Sequence, residues 1–185
     1  MLEEIKFTLE DSMNKTVDSL KYQLTKVRTG RASASVLDGI LVDYYGVPPP
    51  VNQVGQISTP EARLLQIQPF DKTLIAQIDR SILGANIGLT PSNDGNLIRI
   101  PFPVFTEERR KDQVKGIKRY GEDAKIAIRN SRREQNEAVK KAEKGKEISE
   151  DDSKKFQSEI QDLTDVYVKK IDKIIDDKEK ELLTV

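Results

Sequence analysis

Residues 106–144 read TEERRKDQVKGIKRYGEDAKIAIRNSRREQNEAVKKAEK, and the reading of this stretch decides the fold. It has no proline, two glycines (Gly116 and Gly121) and a high density of good helix formers. Thr106 suits an N-cap. Glu107 and Glu108 then fall in the first turn, where negative charge complements the helix dipole. A continuous helix of about 37 residues would extend about 55 Å. Such a length points to a bundle or coiled coil.

On a helical wheel this stretch has two edges. Val114, Ile117, Gly121, Ala124, Ile128, Ser131, Gln135, Ala138 and Ala142 recur at steps of three and four and form one seam, mostly of small residues. Beside it runs a basic stripe of Lys111, Lys115, Lys118, Lys125, Arg129, Arg132, Arg133 and Lys140, interrupted by Glu122 and Glu143. The helix therefore has an edge to bury and a cationic edge next to it.

Working outward, residues 2–29 predict a first helix, with a stripe of Ile5, Leu9, Met13, Thr16, Leu20, Leu24 and Val27 and with Gly30 as its C′ residue. After the central stretch, the chain breaks near Lys144-Gly145-Lys146. Ser149 begins a capping-box-like Ser-Glu-Asp-Asp. A third helix follows from Glu150 to about Leu183, with Phe156, Ile160, Leu163, Tyr167, Ile171, Ile174 and Leu182 on its apolar side. Three long helices, two of them joined by a short loop, predict an elongated antiparallel three-helix bundle.

The segment between is different. All eight prolines lie from Pro48 to Pro103, with glycines and β-branched residues among them. Strands are expected at 40–45, 53–57, 64–69 and 97–100, with a turn at Ser92-Asn93-Asp94-Gly95 before the last. Asp71 is the expected N-cap of a helix whose apolar face is Leu74, Ile75, Ile78, Ile82 and Leu83. Tyr44-Tyr45 and Pro48–Pro50 read as a core strand and a rigid turn, or else as a recognition surface. The expected fold class is thus α+β in two domains, the bundle from 1–30 and 105–185 and a small mixed α/β insert from 31–104. Pro101-Phe102-Pro103 leads back out opposite Gly30-Arg31, a double connection that permits bending more readily than twisting and so reads as a candidate hinge.

Composition narrows the chemistry. Lys and Arg total 31 and Asp and Glu total 31, but residues 107–133 carry ten basic against five acidic, and residues 134–185 carry eleven against fifteen. The formal zero hides a basic block followed by an acidic one. There is no cysteine, histidine or tryptophan. Disulfides, thiolate chemistry, the commonest general base and the commonest zinc ligand are excluded. No phosphate loop, nucleophile elbow or dinucleotide fingerprint occurs, and the acid pairs read as solvated surface, so neither an enzyme nor a cofactor is expected. No apolar run approaches a membrane span, and the first residues carry no signal-peptide core, so no membrane partner and a cytoplasmic location are expected.

Physics alone leaves the basic edge with two readings. It is a solvated face laced with i,i+4 pairs, or it grips phosphate, with Arg129, Arg132 and Arg133 at i, i+3 and i+4 pointing one way. A helix with few aromatics cannot stack unpaired bases, so the second reading implies backbone and shape recognition of folded RNA.

Specific words in the chain add to this: KVRTGRAS at 26–33, LDGI at 37–40 followed by Tyr44-Tyr45-Gly46, TEERRKD at 106–112, AIRNSRRE at 127–134, KEISEDD at 146–152 and DLTD at 162–165. Together, in this order, they closely resemble the bacterial ribosome recycling factor family. The resemblance implies an L-shaped molecule, with the bundle as long arm and the insert as short arm. It implies a non-enzymatic factor that binds the large ribosomal subunit after termination and, with elongation factor G and GTP, splits the ribosome and frees mRNA and tRNA. The matching positions imply Arg129 and Arg132 as leading contacts to 23S ribosomal RNA, with Arg28, Arg31, Arg110 and Arg133 as helpers. They imply a hinge at Gly30, Arg31, Val104, Phe105 and Thr106, and a monomer. Ser131 departs from the family, which often has a larger apolar residue there. Two other readings stand beside this one: a generic RNA-binding protein, which would bind free RNA without a ribosome, and a coiled-coil adaptor, whose arginines would be dispensable.

Overall fold

Ser149 shows how local chemistry sets the frame. Its hydroxyl accepts from the Asp152 backbone N–H at 3.1 Å and donates to the Asp152 carboxylate at 2.6 Å, so the last helix starts at Glu150. The structure is a computed structural model and describes residues 1–184. In chain order the elements are α1 (Leu2–Thr25), α2 (Val51–Val54), β1 (Gly55–Glu61), β2 (Leu64–Pro69), α3 (Ile75–Gly84), β3 (Ser92–Asn93), β4 (Ile98–Pro101), α4 (Glu107–Lys144) and α5 (Glu150–Leu183), with short 3-10 turns at Ala34–Leu37 and Lys72–Leu74. They divide into two compact units, Met1–Val27 with Lys111–Thr184, and Arg28–Arg110.

The first unit is a three-helix bundle. One cluster holds Leu9, Met13, Val17, Leu20 and Leu24 of α1, Ile117, Ala124, Ile128 and Val139 of α4, and Phe156, Ile160, Tyr167, Ile171, Ile175 and Leu182 of α5. Ser12 of α1 meets Ser131 of α4 hydroxyl to hydroxyl at 2.8 Å, so the small residue at 131 completes a polar link between buried edges. Tyr167 of α5 donates to Asn14 of α1 at 2.8 Å. Burial, the largest cause, raises the Tyr167 phenol above its ordinary range. The stripes expected from sequence slip by one position in places. Val17 is buried where Thr16 was expected, Val139 where Ala138 was, Thr164 where Leu163 was, and Ile175 where Ile174 was. Thr164 tolerates this because its hydroxyl donates to the Ile160 carbonyl of its own helix at 2.7 Å.

Gly121 lets α4 lie close against Ile175 of α5. A Cβ there would lie 2.8 Å from Ile175 Cγ1, whereas one at Gly116 would meet nothing within 4 Å. Of the two glycines in this stretch, Gly121 alone is required by close packing. The α1 terminus departs from expectation. The helix stops at Thr25, with Lys26 still right-handed, so Gly30 is not its C′ residue. Gly30 instead takes φ 82° inside the connection that follows. Between α4 and α5 the left-handed residue is Lys146, φ 56°, rather than Gly145.

The second unit is a four-stranded antiparallel sheet in the order β1-β2-β4-β3, with α3 sharing its core. Leu65 and Ile67 of β2, Ile98 and Ile100 of β4, and Ile78 and Ile82 of α3 are fully buried in that cluster. Alternation along β2 and β4 gives each strand one buried face. Pro60 falls in edge strand β1 where the register shifts between Ser58 and Glu61, so its missing N–H removes no central ladder bond. Entry and exit of the unit are tied to neighbouring residues of the β1–β2 turn: Ala32 N–H donates to Ala62 at 2.8 Å, and Phe102 N–H donates to Arg63 at 2.7 Å. Asp71 caps the 3-10 turn before α3 through Thr73, as expected. Asp94 accepts from the backbone N–H groups of Asn96 and Leu97 and pairs with Arg99. Hydrogen bonds to Thr73 lower the Asp71 carboxyl below its usual range, and those to Leu97 and Asn96 lower Asp94.

Five expectations for this unit are corrected. Residues 40–45 form no strand beyond a single bridge, Leu41 to Pro50. Three consecutive prolines at 48–50 lack the N–H donors a hairpin ladder needs. The core reading of Tyr44-Tyr45 falls with it: Tyr45 is 90% exposed at φ 45°. Residues 51–54 form a helical turn before β1 begins, and Leu83 of α3 is exposed rather than on its apolar face. Ser92-Asn93 belongs to β3, so the turn is confined to Asp94 and the residues after it.

Two glycine substitutions separate packing from propensity. Gly121→Val should lower the unfolding free energy in urea by about 1–3 kcal/mol through overpacking against Ile175. Gly116→Ala, in open space, should raise it by about 0.5–1 kcal/mol. Since the Asp71 and Asp94 carboxyls are lowered, the stability they lend is present above their ordinary value of 3.8 and is lost as pH falls through their lower folded values. Asp94→Asn should flatten that part of an acid-unfolding curve followed by circular dichroism.

Candidate nucleic-acid interface

The cations of α4 face two different situations. Lys118 pairs with Glu179 of α5 at 3.4 Å. Lys125 pairs with Asp172 of α5 at 2.5 Å and with Glu122 at 3.1 Å. Its side chain is only 18% exposed. The hydrogen bond to Asp172 is the largest cause raising the Lys125 pKa above 10.5. Its stabilisation therefore holds through neutral pH and is lost only as pH climbs through that raised value. These two lysines belong to the basic stripe that the sequence left open between a solvated face and a phosphate-gripping edge, and they are partnered within the bundle.

Arg132 continues the same edge but is held differently. Its Nη1 donates to Oε1 of Gln161 at 2.9 Å, and Nε2 of Gln161 donates to Oδ1 of Asp165 at 2.8 Å. Arginine only donates and a carboxylate only accepts, so the two ends dictate the orientation of the Gln161 amide. Arg132 has no ion pair among the described residues and is half-buried, while Arg129 and Arg133 are exposed on the turn around it. The three form a cationic fork on a helix about 57 Å long by its 38 residues. Each guanidinium carries several N–H donors in a planar array suited to phosphate oxygens.

The remaining arginines expected from sequence lie in the other unit. Arg28 donates through Nη2 to the Ile87 carbonyl and lies 3.4 Å from a Cβ built at Gly88, so it fastens the loop after α3. Arg31 is exposed, and Arg110 is half-buried near the start of α4. The structure therefore brings together Arg129, Arg132 and Arg133 but does not place Arg28, Arg31 and Arg110 in their unit. The expected hinge residues Gly30, Arg31, Val104, Phe105 and Thr106 all belong to the second unit and fall outside its helices and strands. Thr106 accepts from the Arg109 N–H at 3.2 Å, and the Arg109 guanidinium sits 5.7 Å from the Phe105 ring.

Sequence reasoning missed Gln161 and Asp165. A signal was present. Positions 118, 125 and 132 advance by seven along α4 while 179, 172 and 165 retreat by seven along α5, the pattern of an antiparallel charged edge.

Comparison with known proteins now bears on this geometry. A protein-family description, ribosome recycling factor, matches residues 20–183. The chain belongs to the ribosome recycling factor family. A ribosome-recycling factor of Bacillus anthracis is 54% identical over 181 residues, covering 98% of this chain and 97% of the relative. One of Lachnoclostridium phytofermentans is 49% identical over 185 residues, covering both chains fully. The fold agrees with the solution structure of a ribosome recycling factor, TM-score 0.79 at 38% identity, covering 100% of this chain and 98% of that one. It also matches a T. thermophilus ribosome recycling factor described, with E. coli elongation factor G, as bound to the E. coli post-termination complex, TM-score 0.66 at 38% identity over 99% of each. Ribosome recycling factors are translation factors and not enzymes, and this chain is such a factor. Among the described residues, no helix is long and apolar enough to cross a membrane.

Lys125→Ala should lower bundle stability by about 0.5–1 kcal/mol. The loss should shrink in denaturant titrations at higher salt, where ion pairs are screened.

Proposed function

We propose that this ribosome recycling factor binds the post-termination ribosome through α4, with Arg129, Arg132 and Arg133 gripping phosphates of 23S ribosomal RNA in the large subunit. The observation that carries the reading is the contrast along one edge of α4. Lys118 and Lys125 are neutralised by α5 carboxylates, whereas Arg132 is held by a neutral amide and keeps its charge for a ligand. A rigid helix with no stacking aromatics beside these arginines suits the shape and backbone of folded RNA.

On this reading the two units are functional domains with boundaries near residues 30 and 105. The insert bends relative to the bundle about Gly30, Arg31, Val104, Phe105 and Thr106. Gly30 at φ 82° and the non-helical backbone on both connections support that assignment. The second partner is elongation factor G, whose GTP hydrolysis drives subunit splitting and the release of mRNA and tRNA. That partnership is suggested by the T. thermophilus relative. Arg31 and Arg110 are further ribosome contacts near the connection. Arg28 is assigned mainly to holding the Ile87 loop, with RNA contact secondary. The factor acts as a monomer in the cytoplasm. Matches that run the length of the chain do not favour the generic RNA-binding or adaptor readings.

Arg132→Ala should keep the helical circular-dichroism spectrum and bind isolated large subunits at least about tenfold more weakly, as expected for a lost charge-assisted bond. Its plot of log K against log salt should be shallower by about 0.7–0.9. Splitting of post-termination ribosomes with elongation factor G and GTP should slow in parallel. Binding equal to wild type at every salt concentration would remove Arg132 from the interface.

A further inference from the structure

The charged edge between α4 and α5 has a regular register with one irregular rung. Lys118 faces Glu179 and Lys125 faces Asp172, each as a direct ion pair. One heptad further on, the register sets Arg132 opposite Asp165, yet no ion pair joins them among the described residues. Gln161, one turn before Asp165 on α5, occupies the position between them. It accepts from Arg132 at 2.9 Å and donates to Asp165 at 2.8 Å. An arginine left free beside a carboxylate would pair with it in bidentate fashion, and such pairs are among the strongest that side chains make. A phosphate would then have to displace that carboxylate.

We infer that Gln161 is a positioning residue: it orients the Arg132 guanidinium and, by occupying the Asp165 carboxylate, keeps Arg132 from being neutralised, so that its remaining donors are available to an RNA phosphate. The inference rests on the reading of Arg132 as an RNA contact. Asp165 has a subordinate part, fixing the Gln161 amide so that its oxygen faces Arg132. An arrangement of this kind spends one of the guanidinium's five N–H donors on alignment and leaves the rest. It also lowers the side-chain entropy lost when the ligand arrives, which favours binding by preorganisation. Lys118 and Lys125 make the contrast within the same helix: there the partner acid is direct, and the cation's role is to fasten α5.

Gln161 is exposed on α5, so its replacement leaves the bundle core intact. The full-length protein is titrated with isolated large ribosomal subunits across a salt series, with circular dichroism as the check on folding. Gln161→Ala is expected to weaken binding by about tenfold. It should also reduce the salt slope by about 0.7–0.9, as though a cation had been removed, although glutamine is neutral. Gln161→Glu, nearly isosteric, should weaken binding to a similar degree because its carboxylate pairs with Arg132. Gln161→Ala with Asp165→Asn should recover most of the lost affinity, since no acid remains to capture Arg132. Gln161→Ala added to Arg132→Ala should cost nothing beyond Arg132→Ala alone. The inference is overturned if Arg132→Ala weakens binding while Gln161→Ala does not. It is equally overturned if Gln161→Ala weakens binding with an unchanged salt slope, which would make Gln161 a direct RNA contact, or if the two losses add. If Arg132→Ala itself binds as wild type, the RNA reading fails and the inference with it.

Discussion

The antiparallel register of α4 against α5 is the constraint on which the rest of the bundle depends. A close contact in it is Gly121, where the space a side chain would need is taken by Ile175. That contact fixes which residue of one helix faces which residue of the other, and the charged edge follows from it. With the register set, Lys118 meets Glu179 and Lys125 meets Asp172 with no further adjustment. The same register sets the end of α4 that carries Arg132 against the stretch of α5 that carries Gln161 and Asp165. A small residue in the core thus determines the electrostatics of the surface.

That edge also shows why charge counts mislead. The molecule has equal numbers of acidic and basic residues, and within the cationic stripe of α4 Lys118 and Lys125 are spent on the neighbour helix. What distinguishes an anchoring cation from one available to a ligand is the identity of one partner side chain. A carboxylate cancels the charge and an amide leaves it standing. The seam on the α1 side has its own polar solution: Ser12 and Ser131 satisfy each other, so a small hydroxyl residue is accommodated there without a stranded polar group.

Much of this was legible in the sequence because the signals were local. Proline-free heptad-like spacing predicted the three long helices, and Ser149 with Asp152 predicted the start of α5 to the residue. Burial was misjudged by one position at Thr16 and Val17 and at Ile174 and Ile175, because a real helix drifts against any fixed stripe drawn on a wheel. The failures at residues 40–54 had another cause. Apolar and β-branched residues suggested strands, but the prolines at 48–50 withheld the donors, and no periodicity encodes that loss. At the interface, the arginines stood out by type, whereas Gln161 did not. Its role exists only once α4 and α5 are paired, and an exposed glutamine has no signature of its own.

The two hydrogen bonds that hold Ala32 to Ala62 and Phe102 to Arg63 reach beyond the sheet they close. They clamp the incoming and outgoing chain to adjacent residues of one turn. α1 is separated from α4 by some eighty residues of sequence, and closing so long a loop in a disordered chain carries a substantial entropy cost. Once the sheet has formed, that intervening chain behaves as a short link, and the closure cost falls by about 2 kcal/mol. The formed insert thus shortens the effective loop that joins α1 to α4.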